Sequence, residues 1–162
     1  IFNYMGPTLN PLGAKYQILG TINKSSAQIM TKILSRINLK GFNVFYSHDG
    51  LDEISLFSPT TFFIKKDMKI SKKTVSNKFY NKYLNKIPNF KDIKGKLPEY
   101  NANRLIELFS GKKDTYRDMV IINSIYAMMI IKSKLKFNDC YEILNHSIDK
   151  GYALNHLEKV RK

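Results

Sequence analysis

Phe42-Asn43-Val44-Phe45-Tyr46, running straight into Ser47-His48-Asp49-Gly50-Leu51-Asp52-Glu53-Ile54-Ser55, is the stretch whose reading decides the fold. The apolar run reads as a buried strand. The segment after it reads as a loop carrying Asp49, Asp52 and Glu53 around a glycine. In open α/β sheets, ligands bind where loops leave the carboxyl ends of strands. Adjacent carboxylates placed there suit a hard cation such as Mg2+, which takes one or two carboxylates and finds its other oxygens on phosphates and water. Asp52 and Glu53 are therefore candidate metal ligands. The plain alternative is a polar turn with solvated acids. In either case Asp49 and Gly50 shape the loop, because Asp bonds its own backbone two residues on and Gly permits positive φ.

Working outward, residues 15–22 alternate loosely with β-branched and aromatic side chains and predict a strand. Ser25-Ser26-Ala27-Gln28 fits a capping box, and Ala27, Met30, Ile33, Leu34 and Ile37 share one helical face ahead of Gly41. Strand, helix, strand in that order predicts a parallel pair joined by a right-handed crossover. Short strands are expected at 54–56, 60–65 and 68–70, with Lys66-Asp67 turning the last two into a hairpin. Residues 76–100 hold Pro88, Gly95 and Pro98 without clean periodicity, which predicts a surface excursion with one short helix. Helices are expected over 101–110, 115–132, 138–149 and 153–161, with Gly151 separating the last two. The segment 115–132 is apolar on nearly every face and is placed centrally. Residues 1–13, with Gly6, Pro7, Pro11 and Gly13, read as a loop. The class is α/β, helices packed on a sheet, in a single domain over 1–162.

A chain of 162 residues with 43% hydrophobic content buries a sizeable core and suits one domain. No apolar run reaches the roughly 18 residues of a membrane-spanning helix. The longest, 119–131, is interrupted by Asn123 and Ser124 and reads as a buried helix whose methionines, Met119, Met128 and Met129, fill core. The first residues lack the basic-then-apolar pattern of a signal peptide, and a cytoplasmic location is expected. The lone Cys140 forms no internal disulfide and packs as a small apolar residue, and no Cys/His cluster has zinc-ligand spacing. His48, His146 and His156 read as solvated, and Gly111-Lys112-Lys113 as a helix stop rather than the end of a phosphate loop.

The net charge of +14 points toward nucleic acid. Its densest part, 65–96, interleaves lysines with Phe79, Tyr80, Tyr83 and Phe90, the combination that single strands use. Yet lysine far outweighs arginine, the better bidentate phosphate ligand, and Asn, Ile, Tyr and Phe are abundant throughout. That profile matches biased base composition. The charge is read as mostly solvated surface, and nucleic-acid binding as the minority reading.

Two motifs carry a resemblance. Ile1-Phe2-Asn3-Tyr4-Met5-Gly6-Pro7-Thr8-Leu9-Asn10-Pro11, continued by Gly13-Ala14-Lys15-Tyr16-Gln17-Ile18-Leu19-Gly20, is one, and Asp49-Gly50-Leu51-Asp52-Glu53-Ile54-Ser55 is the other. Together they resemble the C-terminal half of the anthranilate phosphoribosyltransferase family, whose patterns run close to Arg-Thr-Ile-Phe-Asn-x-x-Gly-Pro-Leu-Thr-Asn-Pro and Asp-Gly-Leu-Asp-Glu. Weaker likeness continues through Asn101-Ala102, 108–112, Arg117-Asp118, Asn123, 149–154 and 157–159. The resemblance implies the C-terminal part of a mostly parallel-sheet phosphoribosyltransferase domain, without the family's N-terminal helical domain. It implies an enzyme of tryptophan biosynthesis that transfers phosphoribosyl from phosphoribosyl pyrophosphate to anthranilate and is a homodimer when intact. Asp52 and Glu53 would bind the Mg2+ that accompanies phosphoribosyl pyrophosphate, while Asn3, Gly6, Pro7, Asn10 and Pro11 would set backbone near the cleft without direct contact.

Three departures qualify this: Thr8-Leu9 is swapped, Tyr46-Ser47 replaces the family's His-Gly, and the sequence opens at Ile1. The anthranilate-contacting arginine and the glycine-rich substrate loop lie upstream of that point in the family. The chain is accordingly expected to be a fragment or one half of a split protein, with 1–13 joining it to the missing half, inactive alone and with no catalytic residue assigned. Rival readings are a related pyrimidine nucleoside phosphorylase, against which the acidic loop argues, and a non-catalytic basic domain binding nucleic acid through 65–96. Steep weakening by salt would mark the latter.

Overall fold

Tyr16–Thr21 (β1) and Gly41–Ser47 (β2) lie parallel, Tyr16 opposite Gly41 and Thr21 opposite Tyr46, as the strand-helix-strand order predicts. The computed structural model describes residues 5–9, 12–66 and 69–161. Between the two strands, Lys24–Ser35 (α1) buries Ala27, Met30, Thr31 and Leu34, and its apolar face packs with Phe42 and Val44 into one core cluster. Its cap is Asn23, whose Oδ1 accepts from the Ser26 N–H at 2.9 Å. The expected capping box at Ser25 is thus corrected: Ser25 already lies inside the helix, because Asn is an equally good cap and stands at the last extended residue.

Thr60–Lys66 (β3) and Lys69–Val75 (β4) complete a sheet in the order β1-β2-β3-β4, each antiparallel to its predecessor. The α/β class, with helices packed on a sheet, is what this architecture shows. Among the described strands the parallel pair is β1/β2, because no crossover helix follows β2 and the chain returns directly. The hairpin exists, although Asp67 of its expected turn lies outside the described residues. β4 runs on to Val75, past the expected end at 70, and its exposed Lys69, Lys72 and Lys73 charge the sheet edge against further pairing. The strand expected at 54–56 is absent: Ile54, Ser55 and Leu56 are buried, but the Ile54 and Ser55 N–H groups donate to side chains rather than to a ladder.

The second core cluster lies on the other face of the sheet. Thr115–Ile131 (α4) buries Ile121, Ile122 and Ile125 against Phe45, Phe62 and Ile54, the central position its all-round apolarity predicts. Phe137–Asp149 (α5) packs along α4, with Cys140 fully buried. Tyr152–Val160 (α6) follows Gly151, whose φ of 72° makes the turn. Pro98–Phe109 (α3) starts at Pro98 instead of 101, since proline in the first turn gives up only an N–H that has no helical partner.

Residues 76–100 are less peripheral than expected. Besides the short helix Phe90–Ile93 (α2), they form a 3-10 turn, Asn77–Tyr83, that drives Tyr80 and Tyr83 into the core. The Tyr80 hydroxyl meets that of Tyr126 at 2.9 Å, and the Tyr141 hydroxyl donates to the Tyr83 carbonyl at 3.0 Å. Irregular backbone concealed this burial, because aromatic anchors without a period leave no pattern. Among the described residues, no helix is long and apolar enough to cross a membrane.

Candidate functional site

Because β1 and β2 are parallel, their carboxyl ends emerge together, and the loop after β2 lies over both. Gly20, near the end of β1, is required there: a Cβ would collide with the carbonyl oxygen of Asp52. Ser47 Oγ donates to the Glu53 carbonyl at 2.7 Å and pairs with Thr60 Oγ1 at 2.8 Å. The Ser55 N–H closes this knot on Ser47 Oγ at 3.1 Å. From α4, Asn123 grips the next peptide on both sides, Oδ1 accepting from the Ile54 N–H at 2.8 Å and Nδ2 donating to the Ile54 carbonyl at 3.2 Å. A further Nδ2 bond to the Met119 carbonyl at 2.9 Å locks the rotamer. The backbone on either side of Glu53 is therefore fixed from β1, β2, β3 and α4.

With their backbone tied inward, Asp52 and Glu53 are exposed. Desolvation by the loop, then the charge of Asp52 and a side-chain hydrogen bond to it, hold the Glu53 carboxyl above its ordinary range. An acid whose proton affinity is raised by burial and a neighbouring carboxylate is relieved by a cation, and the hard oxygens of the pair fit Mg2+. No group of three or more His, Cys, Asp or Glu side chains is placed to hold a metal ion among the described residues. Asp49 serves the loop itself: its Oδ2 accepts from Ser55 Oγ at 2.6 Å and its Oδ1 from the Leu51 N–H at 3.3 Å, while Gly50 has φ 87°. His48 is exposed, as expected, but pinned, stacked on Tyr46 and 2.9 Å from Thr61 Oγ1 through Nε2.

Of the N-terminal motif, Asn3, Asn10 and Pro11 lie outside the described residues. Gly6 and Pro7 sit in a 3-10 turn, Gly6–Thr8, whose Pro7 carbonyl accepts from Gln17 Nε2 at 2.6 Å. In the basic stretch 65–96, Tyr80 and Tyr83 are core residues and offer no stacking face, while Phe79 and Phe90 are exposed. The supports of the loop, Gly20, Ser47, Thr60 and Asn123, do not stand out as site residues in the sequence. The available signal is Asn123 itself, a polar residue interrupting the longest apolar run.

A second charged cluster stands at the start of α4. Arg117 is fully buried, its Nη2 donating to Asn145 Oδ1 at 2.7 Å and pairing with Asp149 at 2.7 Å, its Nη1 donating to the Gly111 carbonyl at 3.2 Å. Beside it, Asp118 accepts from the Asn85 N–H at 3.0 Å and from Asn85 Nδ2 at 2.5 Å. Arg104 bridges Asp114 and Glu107 at 2.8 and 2.6 Å.

A sheet with helices packed against it defines an α/β domain, and the chain belongs to the glycosyl transferase family, a/b domain, whose pattern matches residues 1–154. Its relatives within that family are anthranilate phosphoribosyltransferases. The enzyme from Methanococcoides burtonii is 32% identical over 160 residues, which is 99% of this chain and 44% of that protein. The enzyme from Myxococcus xanthus is 33% identical over 158 residues, 97% of this chain and 46% of that one. The chain thus spans less than half the length of these relatives. Among solved structures, anthranilate phosphoribosyltransferase from Saccharomyces cerevisiae in complex with 4-fluoroanthranilate matches with a TM-score of 0.77 at 20% identity, covering 89% of this chain and 41% of that one. The same enzyme in complex with PRPP and Mg matches at 0.76. At that identity the likeness establishes the fold.

Proposed function

We propose that this chain is the α/β portion of an anthranilate phosphoribosyltransferase and that Asp52 and Glu53 are its ligands for Mg2+. The observation that supports the reading best is the outward acid pair on a loop whose backbone is tied down by Ser47, Gly20 and Asn123. Asp52 and Glu53 would hold Mg2+ there, and the ion would supply neutralisation of the charge on a pyrophosphate leaving group without proton transfer. The two carboxylates would be the protein's share of the ligands, since Mg2+ commonly takes one or two carboxylates with substrate phosphates and water. The loop's internal hydrogen bonds fix the backbone that carries the two carboxylates, which limits the reorganisation needed when charge develops.

On this reading 1–162 is one catalytic-domain unit, residues 1–13 connect it to the part of its relatives that it does not match, and the acceptor pocket belongs to that part. The working enzyme is cytoplasmic and a homodimer. The chain alone is then inactive, and the matching upstream half of the Methanococcoides burtonii relative should restore formation of phosphoribosyl anthranilate, read by loss of anthranilate fluorescence. Product formation by the purified 162-residue chain alone would overturn the inactivity. A stable complex with the upstream half that turns over neither anthranilate nor any other acceptor would overturn the enzymatic reading.

A further inference from the structure

At the opposite end of β2 from the acidic loop lies a cavity of about 920 Å3, within the range of small-molecule sites. It opens between the sheet and the last turns of α4. The surface it presents is largely apolar: Ile64, Tyr126, Met129 and Phe137 are half-buried, and Phe79 and Ile131 are 45% and 56% exposed. Large apolar side chains gathered on one open surface mark a groove for a ligand or partner.

The charge around the groove narrows the choice. Lys40, Lys65, Lys66 and Lys73 line it, and no carboxylate does among the described residues. Strand register gathers three of these lysines at one end: Lys66 stands opposite Gly41, Lys65 opposite Phe42, and Lys40 directly precedes Gly41. The Lys40 N–H donates to the Lys15 carbonyl at 2.8 Å, and Lys65 Nζ donates to the Leu39 carbonyl at 3.0 Å, which anchors both at that end. An ammonium has three donors, and this bond uses one of those on Lys65. Lys40 and Lys66 are exposed, and none of the four lysines is ion-paired among the described residues. Like charges gathered at one place repel, and an anion between them relieves the repulsion. An apolar trough ending in unpaired cations complements an apolar chain ending in an anion. Met129, unbranched and adaptable, suits a tail without a fixed shape.

We infer that this cavity binds a single-chain amphiphile with an anionic head, of the alkyl carboxylate class. The carboxylate meets Lys40, Lys65 and Lys66, and the alkyl tail lies along Ile64, Met129, Ile131 and Phe137. The site is separate from the acidic loop and needs neither a metal nor the upstream half.

Decanoate, kept below its micelle-forming concentration, is the probe, with octanoate, decanol and decyltrimethylammonium as controls. Calorimetric titration of the 162-residue chain should give saturable binding of decanoate in about 0.15 M salt, which screens charges beyond about 8 Å. Octanoate should bind more than about tenfold more weakly, at roughly fourfold per methylene. Decanol should lose about tenfold with the anion contact, and decyltrimethylammonium should not saturate. Amide shifts should centre on 40–41, 64–66 and 129–131 and leave 49–54 unmoved. Lys40→Glu with Lys66→Glu, exposed changes that spare the core, should reverse the preference, so that the cationic amphiphile binds and decanoate does not. Ile131→Asp should weaken decanoate and decanol alike, which tests the tail contact separately from the head. Binding of decanoate should persist in the complex with the upstream half of the Methanococcoides burtonii relative. Affinity that ignores chain length or the charge swap, shifts spread over the surface, or displacement by the upstream half would overturn the site. So would pelleting with phosphatidylglycerol vesicles without binding of free decanoate, which would assign the surface to a membrane.

Discussion

Two charged clusters, both reaching α4, differ in where their valence goes. At its start, Arg117 and Asp118 are buried and answered from inside: Gly111, Asn145 and Asp149 for the guanidinium, Asn85 for the carboxylate. At the strand ends, the backbone of the acidic loop is answered from inside by Ser47 and Asn123, and the Asp52 and Glu53 side chains are left facing water. Burial raises both Asp118 and Glu53, but Asp118 is offset by two N–H donors, whereas the side chain beside Glu53 is another acid. The first arrangement is answered within the fold except at Arg117 Nε, which has no hydrogen-bond partner among the described residues, and is architecture. The second, on the function proposed above, is where a cation would bind.

Breaking the self-contained cluster should cost the most stability. Arg117→Ala strands the Asn145 amide and the Gly111 carbonyl and empties a fully buried site, so a loss of about 3 kcal/mol or more is expected in urea unfolding. A loss under about 1 kcal/mol would mean that the cluster is peripheral. The opposite profile is expected of the loop. Asp52→Ala and Glu53→Ala should leave folding nearly intact yet slow the enzyme reconstituted with a relative's upstream half by on the order of 10²-fold, the usual scale of a lost electrostatic transition-state contact. Asp49→Ala, which loses bonds within the loop, should cost less.

Asn123 links the two regimes. Removing it leaves the buried N–H of Ile54 unpaired, so Asn123→Ala should cost about 1–3 kcal/mol. It should also raise the Mg2+ concentration giving half-maximal rate in the reconstituted enzyme. A stability loss with an unchanged Mg2+ requirement would make Asn123 structural alone.

The smallest effect is the pH response of Glu53. Its carboxyl sits above the ordinary glutamate value of 4.5, so its contribution to stability is present below that value and is lost as pH rises through the raised one. Glu53→Gln should therefore melt at or slightly above the parent at pH 7 and converge with it near pH 4. A variant that melts lower at pH 7 would show that the ionised acid is paired in the fold.

Legibility in the sequence divides along the same line. The β1-α1-β2 unit and α4 are readable because period and turn chemistry act locally; Asp52 and Glu53 are readable because acids after an apolar strand stand out and the family motif reinforces them. The features that escape a sequence reading need distant partners. Residues 54–56 resemble a strand because they are apolar and buried, yet their donors are spent on side chains from β2 and α4. Tyr80 and Tyr83 resemble surface residues because the 3-10 turn that buries them has no period. Gly20 is a glycine because of Asp52, a contact that exists only once β1 and the loop meet.

The most direct test of an outward cation site against an inward closed cluster is paramagnetic broadening by Mn2+ in the 162-residue chain. Amide signals of 50–55 should broaden first and those of Arg117 and Asp118 should stay sharp, with Mg2+ reversing the effect and Asp52→Ala with Glu53→Ala together abolishing it. Broadening that spares 50–55, or that persists in the double variant, would contradict the assignment of Asp52 and Glu53 as metal ligands.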